Sequence, residues 1–206
     1  MVIEGNIGVG KTTLASKIAN DFNARLILET FVDNPFLPKF YNNPEKYSFQ
    51  LELSFLASRY KQLKEEFVTP DSFKTFAVAD YYFTKSLVFA ASTLKKNEFE
   101  LYKQIFSIVY SSLPKPDLYV YLHLSPEKLL ENIKKRGRSY ETGITESYLK
   151  TIQENYFAFF DQSTDIKYLI IDISQIDFVE NEEDYEKILN TILKKDYSLG
   201  LNEIIL

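Results

Sequence analysis

The sequence predicts an α/β fold, a parallel sheet with helices on both faces. Three observations lead there: short apolar runs of strand length recur along the chain, helix-spaced segments separate them, and the first run opens straight into glycines ahead of a helix. At 206 residues the chain is long enough for one substantial core, so residues 1–206 are expected to form a single domain.

Met1 to Glu4 reads as the first strand. Lys11 to Phe22 follows as a helix with Leu14, Ile18 and Ala19 on one face. Arg25 to Glu29 is a second strand. Thr30 to Lys46 holds three prolines and several Asn, so it is expected to be mostly loop. From Tyr47 to Phe67 the residues Leu51, Phe55, Leu56, Tyr60, Leu63 and Phe67 repeat at helical spacing. Phe76 to Asp80 is a third strand, and helices are expected over Tyr82 to Leu94 and Glu98 to Leu113. Pro114 and Pro116 precede the clearest strand, Asp117 to Leu124. Ser125 and Pro126 form a helix start, an N-cap followed by Pro at N1, and that helix runs to the basic cluster KKRGR. Glu146 to Phe160 is a helix, Lys167 to Ile173 a fifth strand, and Glu182 to Leu193 a last helix. Residues 196–206 show no usable pattern.

Composition narrows the function. Apolar residues make up 45% and aromatics 16%, a globular balance. The net charge of −5 argues against polymeric DNA or RNA as a partner, while a local cation cluster can still hold a small anion. With no cysteine there is no disulfide or thiolate metal site, as suits a reducing compartment. No apolar run approaches the ~18 residues of a membrane span, and no leader precedes the first motif. A soluble cytoplasmic protein is expected.

Gly5-Asn6-Ile7-Gly8-Val9-Gly10-Lys11-Thr12 fits the pattern G-x-x-x-x-G-K-[ST] in full, between a strand and a helix. Glycines let the backbone wrap closely enough for several N–H groups to point at phosphate oxygens, and the helix N-terminus adds its positive end. Lys11 would bridge the terminal phosphates, the Thr12 hydroxyl would help hold Mg²⁺, and Thr13 completes the nucleotide-binding set. The motif implies a nucleoside triphosphate as phosphate donor.

A more specific resemblance lies beyond the loop. IEGNIGVGKTTLA, a Glu ending the second strand, NPFLPKFYNNPEKYSFQLELSFLASRYKQL and KKRGRSYETGI resemble the deoxynucleoside kinase family over about Met1 to Leu193. The resemblance implies a doubly wound, five-stranded parallel sheet, a basic lid loop, a helical homodimer interface and control by deoxynucleoside triphosphates. It implies Mg·ATP as cofactor and a small deoxynucleoside as substrate. On it, Glu29 corresponds to the general base that takes the 5′-hydroxyl proton; otherwise it is a solvated carboxylate at a strand end. Tyr41 and Glu141 match the pair that reads the sugar 3′-hydroxyl, Tyr41 alternatively being loop packing. Arg136 and Arg138 resemble the lid that closes over the donor phosphates, whereas a basic helix end would serve only the helix dipole. Asp80 corresponds to the acidic residue of the [DE]-R-S motif, holding Mg²⁺ through water with Thr12, or simply capping a helix.

Two departures stand out. Asp80 is followed by Tyr81, not arginine. Tyr81 can give one neutral hydrogen bond, and Lys85, a helical turn on, can supply a charge to the same space. The base-reading Gln of the family falls on Glu52, seven residues from Arg59 and on the same helix face. The two could form a charged pair that presents donors and acceptors to a purine, or they are a solvated or salt-bridged helix pair with no part in recognition. His123 is read as structural and the Phe/Tyr-rich stretch 81–110 as core or subunit interface. Asp172 is either near the donor adenine or in a turn. The reading favoured is ATP-dependent phosphorylation of a purine deoxynucleoside in salvage. A monophosphate kinase of the thymidylate kinase type and a non-catalytic nucleotide-binding subunit are the alternatives.

Overall fold

Val2–Gly5 (β1) is buried at every position and is the middle of the chain's route across the sheet. The structure is a computed structural model describing residues 1–30, 34–68, 73–194 and 196–206. Its strands are β1, Arg25–Ile27 (β2), Ala77–Ala79 (β3), Tyr119–His123 (β4), Lys167–Asp172 (β5) and Gly200–Ile205 (β6). They lie in the order β2-β3-β1-β4-β5-β6 with every neighbouring pair parallel. The chain fills one side of β1 first and then crosses to the other. That reversal opens a crevice at the carboxyl end of β1, where the glycine loop begins.

The helices are Lys11–Asp21 (α1), Leu37–Asn42 (α2), Pro44–Val68 (α3), Lys85–Thr93 (α4), Lys96–Tyr110 (α5), Pro126–Arg136 (α6), Glu146–Gln162 (α7) and Glu182–Lys194 (α8). Two apolar clusters flank the sheet, because successive strand residues point to opposite faces. Val120 and Leu122 meet Leu14 and Ile18 of α1, Ile133 of α6 and Ile188 of α8. Tyr119 and Tyr121 of the same strand meet Leu63 of α3, Phe106 of α5 and Tyr156 of α7. Each fully buried aliphatic or phenylalanine side chain among them contributes about 1.5–3 kcal/mol.

The fold differs from expectation in three places. A sixth strand, β6, pairs along the length of β5. The expected loop before Lys46 contains α2, with a proline in its first turn, and α3 already begins at Pro44, where a missing N–H costs nothing. Residues 31–33 of that loop and the Phe67 side chain lie outside the described residues. Tyr82 is outside any helix, Phe83 and Thr84 form a turn, and α4 starts only at Lys85. The helix start at Ser125 is as expected: its hydroxyl accepts from Lys128 N–H, and Gly137 closes α6 in the left-handed region at φ 70°.

Candidate active site

The glycine loop is forced by close approach. A Cβ on Gly8 (φ 86°) would lie 2.8 Å from the Leu129 carbonyl oxygen, and one on Gly10 (φ 96°) 2.8 Å from the Phe178 ring. Asn6 pins the loop from below, accepting from Ile7 N–H at 2.8 Å and donating to the Leu149 carbonyl at 2.7 Å. Gly5, Asn6 and Val9 are buried behind the loop, and Thr13 is exposed on the first turn of α1. Lys11 donates to the Asn6 carbonyl at 2.9 Å. Burial, with Lys85 as a like-charged neighbour, lowers the Lys11 ammonium to about 8.

Asp80, at the end of β3, joins the two halves of the site. One oxygen accepts from the Thr12 hydroxyl at 2.5 Å and the other from the Glu29 N–H at 2.8 Å. Thr12 and Asp80 therefore converge, and no group of three or more His, Cys, Asp or Glu gathers to hold a metal among the described residues. That donor set suits Mg²⁺, which keeps water and phosphate oxygens in its shell.

Glu29 sits between two cations. Arg59 donates to its Oε1 through Nε at 2.8 Å and Nη2 at 2.7 Å, and Lys85 Nζ is 2.6 Å from Oε2. Burial alone would push this carboxyl up, but Lys85 and Arg59 outweigh it and hold Glu29 at about 2. Arg59 is committed further, its Nη1 donating to Ser86 Oγ at 2.9 Å.

This corrects the Glu52–Arg59 pair read from the sequence. The seven-residue spacing does put both on one face of α3, but Arg59 turns to Glu29 and Ser86, which the fold brings from distant segments. Glu52 instead accepts from the Thr93 hydroxyl through Oε1 at 2.9 Å, and its Oε2 has no partner among the described residues. Burial raises Glu52 to about 7.

On the side of the cleft formed by α2 and the turn after α6, Tyr41 stacks on Tyr140 with ring centroids 6.4 Å apart. Burial, then the Glu141 charge, pushes the Tyr41 phenol well above its usual range. Glu141 is buried and held by Arg136, whose Nη2 reaches both carboxylate oxygens at 2.6 and 2.7 Å, with Arg138 at 3.6 Å. No hydrogen bond joins Tyr41 to Glu141 among the described residues.

Lys11, Thr12, Glu29, Glu52 and Asp80 open onto a single cleft of about 860 Å³ including its mouth, with Lys85. Arg59, Tyr41, Arg136, Arg138 and Glu141 line the same space, and Leu51, Phe55 and Phe89 form apolar walls. Tyr81 does not. Its ring is fully buried in the core on the α3 and α5 side, and its hydroxyl has no partner among the described residues. Most of the aromatic stretch 81–110 is core, Phe89 being the residue that reaches the cleft. His123 lies away from it, bonded to Gln153 at 3.2 Å. Asp172 accepts from Ser174 N–H at 2.8 Å, a turn.

Two residues escaped the sequence reading. Glu4, under the glycine loop, is fully buried. It accepts from Tyr82 N–H at 3.0 Å and from the Tyr156 hydroxyl at 3.1 Å, and burial raises its carboxyl. A carboxylate inside an otherwise apolar strand is the signal that could have marked it. Asn132 of α6, which donates to the Gly8 carbonyl at 3.0 Å, carries no such signal.

The model for the deoxynucleoside kinase family matches residues 1–196. The chain is 40% identical to a deoxyguanosine kinase of Bacillus subtilis, over 91% of this chain and 93% of that protein. It is 31% identical to a deoxyadenosine kinase of Dictyostelium discoideum, over 96% and 78% respectively. Among solved structures, the deoxyadenosine kinase of M. mycoides with bound dATP is similar in fold. Its TM-score is 0.78 at 24% identity, over 93% of this chain and 97% of that one. A match over nearly the whole length, on a chain that gathers a glycine loop, a paired carboxylate and a basic helix end around one cleft, places this protein in the deoxynucleoside kinase family.

Proposed function

We propose that this kinase moves the γ-phosphoryl group of Mg·ATP to the 5′-hydroxyl of a purine 2′-deoxynucleoside. It would do so in nucleotide salvage, as a cytoplasmic homodimer of single-domain subunits. The observation that carries the reading is the bridge through Asp80. It ties Thr12 of the glycine loop to the backbone of Glu29, so the phosphate end and the carboxylate face one cleft.

Phosphoryl transfer asks mainly for alignment and charge stabilisation. Glu29 is ionised throughout the working pH range, and its Oε2, met among the described residues by Lys85 alone, keeps a lone pair for the acceptor hydroxyl. It orients that hydroxyl and takes its proton as the P–O bond forms; a strong base is not needed. Lys85 lies beside the same carboxylate and supplies the positive charge that Tyr81 cannot. Lys11 and the loop N–H groups take the donor phosphates. Mg²⁺, held by Thr12 and through water by Asp80, would neutralise charge on the β- and γ-phosphate oxygens. Arg136 and Arg138 close the phosphate end, and Tyr41 with Glu141 recognises the deoxyribose.

The test is monophosphate formation from Mg·ATP and each of four deoxynucleosides, with Glu29→Gln alongside. Turnover of purine deoxynucleosides is expected, with kcat reduced about 10²–10⁴-fold in the variant and ATP affinity retained. No product from any deoxynucleoside would overturn the reading.

A further inference from the structure

Among the acidic groups of the cleft, Glu52 differs from the rest. Glu29 is taken by Arg59 and Lys85, Asp80 by Thr12 and the Glu29 amide, and Glu141 by Arg136. Glu52 keeps one buried oxygen, Oε2, without a partner among the described residues. An unmet buried acceptor is costly, so a ligand that completes it gains by doing so. Leu51, Phe55 and Phe89 line the same cleft and suit a flat ring.

We propose that Glu52 selects the purine by its own charge state. The ionised carboxylate accepts from N1–H and the 2-amino group of guanine, while the neutral acid donates to N1 and accepts from the 6-amino group of adenine. The inference rests on the purine reading above and adds a reason for discrimination within it.

The groups around Glu52 tolerate both states. Thr93 of α4 has one hydroxyl hydrogen and two acceptors in reach, Glu52 Oε1 at 2.9 Å and the Phe89 carbonyl at 3.0 Å. It can donate to an ionised Glu52 or turn away from a neutral one. The Arg59 charge, on α3 itself, favours the ionised form, and Glu29, beyond β2, opposes it. Tyr41 of α2, Tyr102 of α5 and Tyr148 of α7 feel the Glu52 charge, and their phenols stay protonated across the neutral range. The Tyr102 hydroxyl donates to the Glu52 backbone carbonyl, not to its carboxyl. Burial against these neighbours brings Glu52 to about 7, so both states are populated near neutrality.

The experiment measures kcat/KM for deoxyguanosine and deoxyadenosine on one enzyme preparation across the neutral range. Ionisations shared by both substrates, those of Glu29 and of ATP, cancel in the ratio. If each base requires the opposite state of one carboxyl, the guanine-to-adenine ratio rises about tenfold per pH unit, or about 100-fold from about pH 6 to about pH 8. Glu52→Gln, always neutral, should give a flat ratio that favours adenine. Deoxyinosine, which has N1–H but no 2-amino group, must follow the guanine trend in the unmodified enzyme, so the test survives if the variant fails to fold. A flat ratio with both purines turned over, or deoxyinosine following adenine, overturns this inference and leaves the kinase reading intact. Turnover of pyrimidines alone overturns the purine reading, and this one with it.

Discussion

Replacing Lys85 by methionine removes one of the two cations on Glu29, at similar side-chain length. Lys85 Nζ is 2.6 Å from Glu29 Oε2, and a hydroxyl bonded to that carboxylate would lie within about 5 Å of Nζ. Two unit charges at about 5 Å and an effective dielectric constant of about 20 interact by about 3 kcal/mol. If the transferred group carries its charge there in the transition state, Lys85→Met should lower kcat roughly 10²-fold, within the span reported for losing one preorganised donor. Glu29 keeps Arg59, so the fold and the ground-state complex should survive with KM little changed. Steady-state kinetics with both substrates varied, beside a melting curve, separates these effects. Lys85→Arg should recover part of the loss. A well-folded Lys85→Met enzyme with kcat within threefold of the parent would show that the reacting phosphoryl group does not feel this charge.

Two further outcomes follow from buried groups. Tyr81→Phe removes a hydroxyl that is buried without a partner, so the melting temperature should hold or rise and kcat should stay within about twofold; a large loss of kcat would mean the hydroxyl does reach the substrate. Glu52 holds a proton in the folded chain, at about 7, that the unfolded chain releases from a value of 4.5. That contribution is complete below the unfolded value and lost as pH rises through the folded one. The parent should therefore lose about 3 kcal/mol of stability relative to Glu52→Gln between about pH 4.5 and pH 7.5. Urea melts at several pH values measure it, and parallel curves would refute it.

The sheet and its glycine loop were legible because their signals are local. Tyr119 and Tyr121 alternate with Val120 and Leu122, and the loop glycines have one steric reason each. The strand β6 was not legible. Leu201, Glu203 and Ile205 are exposed on one side of an edge strand, so its sequence shows no buried run. The residues singled out on the β2 and α3 side, Glu29, Glu52 and Arg59, do line one cleft, but their pairing was not legible. Spacing along a helix shows which residues share a face, and it cannot show that Glu29, thirty residues earlier, will claim Arg59. Tyr81 failed for a similar reason. A residue leaving a strand end can turn to the cleft or to the core, and only the packing of α3 and α5 decides.

The Asp80 bridge sets a distance. Because one carboxylate grips both Thr12 and the chain at Glu29, the spacing between these two segments is set by the chain itself; in the proposed reaction it would act as a fixed gauge between donor phosphate and acceptor hydroxyl. In the proposed reaction neither substrate would have to build the other's seat, so this bridge would impose no order of arrival. A change that deforms the glycine loop should be felt as misalignment at the acceptor, some distance from where the damage was done.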